Sequence, residues 1–356
     1  MRGMTLPSEA DAVFEGGGVK GIAFAGAVGA AQEAGVREWK NLAGTSAGAI
    51  AACLLAVGYH AEDLKKILLS IEYRSFADYG RGGLPRGVIT AVWRRGLAPG
   101  AFFERWMGEQ IAKSPLAQRL GKQELTFKDL KRDDLPDDLS DAERRRALYR
   151  LRVIASDLTA GRMLVLPQDI AHLSRTKNGP RIECDELGLV EAVRMSMSFP
   201  YFFTPRRLWE GDRPHDIVDG GLLSNFPVWL FDSHSRPPAR PTWGFRLHGG
   251  AGPDEATPNR SIRPPLWPFS MARAMFEAAT EAWDRENVAQ AQSVRTIDIP
   301  TGSISTLDFK LSPNDAKHLR DAAADRAREV FAGPEVAAYL ASHGWANGGA
   351  SAATAA

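Results

Sequence analysis

Residues Ala12–Gly21 read AVFEGGGVKG: an apolar run, a carboxylate, three glycines, then a lysine and a fourth glycine. Gly16, Gly18 and Gly21 spell G-x-G-x-x-G, the pattern of a loop that turns its backbone N–H groups toward an anion at a helix start. The apolar run predicts a short buried strand over Asp11–Phe14. The small, Ala-rich run Gly21–Glu33 predicts a buried helix. "WKNLAGT" (Trp39–Thr45) predicts a second strand, and Ser46–Val57 a second small-residue helix. Two strand–turn–helix units in succession point to an α/β fold, a parallel sheet with helices packed on it.

The rest of the chain extends this pattern. His60–Ser70 reads as an amphipathic helix, Tyr79–Gly100 as loop-rich and Ala101–Lys113 as helical. Lys128–Arg146 is dense in charge and reads as a solvated excursion. Tyr149–Ala155 and Arg162–Leu166 alternate and predict two strands around a "DLTAG" turn. Leu187–Ser198 reads as helix, Ile217–Leu223 as a strand edge running into "DGGLLSN", and Trp243–Leu247 and Thr296–Ile299 as short strands. Pro268–Ser293 and Pro313–Val330 read as long helices, and the tail 347–356 as disordered.

Composition narrows the function classes. The 356 residues carry a formal net charge of +1, with 44% hydrophobic and 24% charged residues, which suits a globular chain with a sizeable core. Such a balance gives no general attraction to nucleic acid. The two cysteines, Cys53 and Cys184, make no disulfide framework and fit a reducing compartment. The N-terminus lacks the apolar core of a signal peptide, and no apolar run is long enough to span a bilayer. The expectation is a cytoplasmic protein.

"GTSAG" (Gly44–Gly48) is G-x-S-x-G at a strand-to-helix junction. A sharp turn there exposes the Ser46 hydroxyl, and the flanking glycines are needed because side chains at Gly44 and Gly48 would strike neighbouring backbone. The same residues also fit a tight turn with Ser46 as a helix N-cap. A nucleophilic serine needs a base. Of seven histidines, His248 in "RLHGG" is the one that follows a strand beside glycines, yet Ser46 lies early for a fold of the Ser–acid–His order. A carboxylate is the other choice. "IVDGGLLSN" puts Asp219 at a strand end before Gly220 and Gly221, where it fits either a base held against a serine or an Asx turn. The scattered His and Asp residues lack metal-ligand spacing.

"EGGGVKG", "GTSAG" and "DGG", in this order, resemble the patatin-like phospholipases, with further likeness in "ASDLTAGRMLVLP" and "RMSMSFPYFFTP". The resemblance covers Asp11–Pro227. It implies a three-layer α/β/α fold with a mainly parallel central sheet, and one catalytic domain over residues 1–346 whose C-terminal strands and helices occupy 242–344. It implies a lipid acyl hydrolase with a Ser–Asp dyad: Ser46 as nucleophile, Asp219 as proton acceptor, and Gly16, Gly17 and Gly18 as oxyanion-hole donors. Lys20, Gly21, Gly44, Gly48, Gly220 and Gly221 would complete the motifs, and Pro200 matches a structural proline. No cofactor or metal is implied. The expected partner is a lipid or phospholipid at a membrane interface, where "VITAVWRRGLAPGAFF" and "RPPLWPFSMARAMF" set Trp and Phe near Arg; the same stretches fit core aromatics and solvated arginines. The family often has alanine and serine before the proline, and the methionines of "MSMSFP" should alter packing more than chemistry.

Two other readings use the same residues. A dinucleotide-binding module needs an acidic residue closing the second strand, and here that strand ends "LAGTS". A non-catalytic lipid-binding or regulatory protein would keep the fold without needing an intact Ser46 and Asp219.

Overall fold

The computed structural model describes residues 5–71, 96–232, 237–248, 293–302, 304 and 311–345. The glycine-loop unit opens with strand β1 (Glu9–Phe14), passes through a 3-10 turn (Gly18–Ile22) and enters helix α1 (Ala23–Glu33). Strand β2 (Glu38–Thr45) and helix α2 (Ala47–Ala56) repeat the unit, with Ser46 alone between them. Helix α3 (Ala61–Leu69) starts after His60, whose backbone N–H donates to the Asp63 side chain at 3.2 Å.

Strand β3 (Gly96–Ala98) lies in a stretch read from the sequence as loop. Helices α4 (Ala101–Ala112) and α5 (Pro115–Leu120) follow. The charge-dense segment holds helix α6 (Asp141–Ala147), which buries none of its residues. Strand β4 (Leu151–Asp157) was expected to alternate. All seven of its residues are buried, because it is central in the sheet and covered on both faces. Strand β5 (Arg162–Leu166) and helix α7 (Leu189–Ser196) come next.

Strands β6 (Tyr201–Phe203) and β7 (Arg206–Glu210) escape the sequence reading. Strand β6 is three aromatic residues, too short to show a period, and in β7 only Leu208 is buried, so no apolar alternation marks them. Strand β8 (Arg213–Asp219) ends in a 3-10 turn over Gly220–Leu222. Strands β9 (Thr242–His248) and β10 (Thr296–Pro300) and helices α8 (Pro313–Phe331) and α9 (Pro334–Ser342) complete the described chain. The helix expected over Pro268–Ser293 and the tail 347–356 lie outside the described residues.

The main sheet runs β10-β9-β1-β2-β4-β8-β7, with β5 also paired to β4. It is parallel from β10 through β4, whereas β5, β7 and β8 pair antiparallel. On one face Phe14 stacks on Phe245 at 5.0 Å and meets Phe24 of α1 edge-on at 5.2 Å, while Trp243 meets Phe331 of α8 at 5.1 Å. Burying each such ring contributes roughly 1.5–3 kcal/mol. On the other face Val13 and Ala43 pack with Phe226 and Val228 in a smaller cluster. The architecture is a mixed α/β fold with a central sheet flanked by helices.

One feature of the register positions the site. Thr45 pairs with Ile154 and Asp219 pairs with Ala155, while β5 occupies the other edge of β4 at both residues. Strands β2 and β8 therefore share one edge of β4 and run toward each other. Their C-terminal ends meet on adjacent residues of a fully buried strand.

Candidate active site

At this meeting point the backbone of Ser46 has φ 53° and ψ −121°. This is left-handed territory, which costs a residue with a side chain of order 1–3 kcal/mol and persists only when the surroundings enforce it. They do. A Cβ at Gly44 would enter the backbone of Gly48, and one at Gly48 would enter the Phe14 and Glu15 carbonyls. The turn closes because both positions lack that atom. Ser46 itself is partly exposed, and α2 begins with no side-chain cap. The N-cap role weighed for the Ser46 hydroxyl is therefore not taken up.

Asp219 is 2% exposed. Its Oδ1 accepts the Gly221 N–H at 2.9 Å. Burial pushes its carboxyl up to about 7, with the Gly221 N–H and a hydrogen bond with the Ser46 side chain pulling the other way. A carboxylate so placed is a much stronger base than one in water. The Ser46 hydroxyl donates to the Met197 thioether, whose Sδ is 3.6 Å away, and its influence on the Asp219 carboxyl is smaller than that of burial or of the Gly221 N–H. Gly220 packs against Ile154, where its missing Cβ leaves room for that carbonyl.

The glycine loop is anchored from below by Glu15. This carboxylate is 7% exposed; it accepts the Asn225 side-chain N–H at 3.1 Å and the Leu247 backbone N–H. Asn225 also donates to the Gly16 carbonyl at 3.1 Å. The Gly16 N–H donates to the Asn225 carbonyl at 3.2 Å, so Gly16 is bound to the frame and differs here from the expectation of a free donor. Gly17 and Gly18 follow at the start of the 3-10 turn, and Gly18 has φ 54°, a conformation in which glycine carries no Cβ penalty. Gly21 packs against Ala47 at the root of α2. Lys20 is partly buried in the last residues of the same turn.

His248 is exposed at the end of β9, two strands from β2 in the sheet order. Among the described residues no cluster of His, Cys, Asp or Glu has the geometry to hold a metal ion. Cys53 is fully buried and its thiol is pushed up to about 12 by burial, the behaviour of a core residue.

Three residues at the site escaped the sequence reading. Ser196 accepts the Ser46 backbone N–H at 2.8 Å. Met197, one of the methionines expected to alter packing more than chemistry, has its Sδ 3.6 Å from the Ser46 hydroxyl. Asn225 clamps the glycine loop. Their signals were present in "MSMSF" and "DGGLLSN", but only contact across the fold gives them meaning.

Residues 12–232 match the family described as patatin-like phospholipase. The chain belongs to that family. This places it among lipid hydrolases in the general sense. It is 34% identical over 305 residues to YqhO of Bacillus subtilis (strain 168), described as uncharacterized, with 85% of this chain and 91% of that protein covered. Among solved structures it resembles VipD from Legionella pneumophila, with a TM-score of 0.53 at 18% identity over 91% of this chain and 67% of that one. The type III effector ExoU of Pseudomonas aeruginosa gives a TM-score of 0.45 at 18% identity, over 92% of this chain and 53% of that one. Among the described residues no helix of this patatin-like chain is long and apolar enough to cross a membrane.

Proposed function

We propose that the chain hydrolyses carboxylic esters of lipids, in the manner of a phospholipase A or lysophospholipase, through an acyl-enzyme on Ser46. The observation that supports the reading is the strained Ser46 backbone brought to the buried Asp219 where β2 and β8 end on adjacent residues of β4, with burial raising the Asp219 carboxyl to about 7. Asp219 accepts the Ser46 proton as Oγ attacks the acyl carbonyl. The new C–O bond leaves negative charge on the carbonyl oxygen. Gly17 and Gly18 are the loop donors for that charge, since the Gly16 N–H is engaged with Asn225. One such donor is typically worth about 3 kcal/mol of barrier. The intermediate collapses, the alcohol leaves with the proton held by Asp219, and water then deacylates Ser46 with Asp219 again as base.

The substrate class, a fatty acyl ester in a phospholipid, lysophospholipid or neutral lipid, follows from the family. Lys20 adds positive charge beside the loop, and lipid at a membrane interface is the partner. Domain limits of 1–346 belong to the same reading. The decisive experiment is product analysis by mass spectrometry after incubation with a mixed-lipid extract. Wild type should release free fatty acid and the matching deacylated lipid, and Ser46→Ala should release neither. Equal product from both proteins would sink the reading.

A further inference from the structure

We propose that Ser196 is a positioning residue for the nucleophile: its side-chain hydroxyl holds the Ser46 backbone in the elbow from which Oγ attacks. The inference rests on the Ser46–Asp219 reading but draws on different atoms. Ser46 precedes α2, so its N–H lies outside the helix ladder, and it is bonded instead to Ser196 Oγ at 2.8 Å. Ser196 is 0% exposed, and its own proton goes to the Ile154 carbonyl at 2.5 Å. One hydroxyl therefore accepts once and donates once, with no water able to substitute.

The second bond gives the first its purpose. Ile154 is the β4 residue that pairs with Thr45, and its neighbour Ala155 pairs with Asp219. Ser196 thus ties the nucleophile's backbone to the point where the two dyad strands meet. The same short segment also reaches the base, because the Ser198 carbonyl accepts the Asp219 backbone N–H at 3.0 Å. Met197, between them, lies against Ser46 Oγ. The end of α7 is therefore a template that sets the spacing of both dyad members. Without the Ser196 hydroxyl a buried N–H is orphaned, the strained φ of Ser46 loses a constraint, and Oγ shifts.

The test compares wild type with Ser196→Ala, Ser196→Thr, Ser196→Cys and a control, Ser114→Ala. Ser114 is equally buried, and its hydroxyl caps α5 through the Ala117 N–H at 3.2 Å, away from the dyad. Five quantities are measured: the rate at which a fluorophosphonate labels Ser46, kcat and KM on a short-chain nitrophenyl ester, thermal stability, and the exchange rate of the Ser46 amide. A misplacement near 1 Å costs about 10²-fold, so Ser196→Ala should lose about that much in kcat and labelling rate, with KM nearly unchanged. Ser196→Thr, which keeps the hydroxyl, should recover most of the loss. Ser196→Cys keeps the volume but offers only a weak acceptor, so it should fall with Ala even if Ala does not fold. Ser114→Ala should melt earlier yet label at the wild-type rate. A folded Ser196→Ala or Ser196→Cys that labels and turns over like wild type overturns the proposal. If wild type itself neither labels nor hydrolyses, the dyad reading falls. The Ser46 amide then decides for Ser196 if its exchange is slow in wild type and fast in Ser196→Ala, and against it if the two rates are equal.

Discussion

Two buried aspartates lie close together on β4 and β8, and they have opposite characters. Asp157 accepts three hydrogen bonds: its Oδ2 lies 2.7 Å from His215 Nδ1, and its Oδ1 takes the Thr159 and Ala160 N–H groups at 3.0 Å each. Asp219 has the Gly221 N–H and the Ser46 hydroxyl. By appearance the His215–Asp157 pair is closer to the acid–histidine unit of familiar serine hydrolases. By position it is not, because His215 stands four residues before Asp219 on β8, about 13 Å along the strand. On the proposed reading, what separates a structural carboxylate from a base is not having a partner, but how many donors neutralise it. Asp157 is saturated and clips the "DLTAG" turn to β8. Asp219 takes the Gly221 N–H alone from the backbone, which on the proposed reading leaves it able to accept a proton from Ser46.

The sharpest way to break this contrast is to remove the dyad. Ser46→Ala and Asp219→Asn should each lower kcat/KM on a nitrophenyl ester by about 10⁴-fold or more, while His248→Ala retains most of the rate. Full activity in Asp219→Asn would return the base to another residue. The next effect falls on the other aspartate. Asp157→Ala strands the buried His215 and removes two turn bonds. It should cost about 1–3 kcal/mol of unfolding free energy in urea for each buried group left unsatisfied, with the rate per folded molecule preserved. A loss of rate without loss of stability would merge the two regions.

The smallest effect is the most specific to Asp219. Its carboxyl is raised to about 7 by burial, and only the ionised form accepts a proton. The rate should fall about tenfold per pH unit below that value and level off above it. Stability runs the other way. A folded-state value raised above the unfolded one penalises folding progressively from about pH 4 to about pH 7, and fully above. Asp219→Asn, which carries no charge to bury, should accordingly melt above wild type at pH 8 and at the same temperature near pH 4. A pH profile with its midpoint near 4 would mean that burial does not govern the base.

Much of this was legible in the residues. The elbow is partly local: Gly44 makes room for the Gly48 backbone within five residues, whereas Gly48 makes room for the Phe14 and Glu15 carbonyls of β1, a contact that the sequence marks only by the glycine itself. The glycine loop and the first four strands of the parallel half are legible for the same reason, since their apolar runs and small-residue helices carry their own periodicity. Strand β7 and the start of β8 were not, because β7 has only Leu208 buried and the first two residues of β8 are exposed, so tertiary pairing rather than an apolar pattern places them; the end of β8, from Ile217, reads as a strand edge.

What the sequence determined by itself was the family motifs, the glycines that flank Ser46 and the α/β class, all written in residue type and hydrophobic period. What only the tertiary structure decided was which residues they meet. It brought β2 and β8 end to end on β4, engaged Gly16 with Asn225, set Ser196 under Ser46, and buried Asp219 with few donors while saturating Asp157. Burial and hydrogen-bond supply are properties of the surroundings, and the surroundings of each aspartate come from distant parts of the chain.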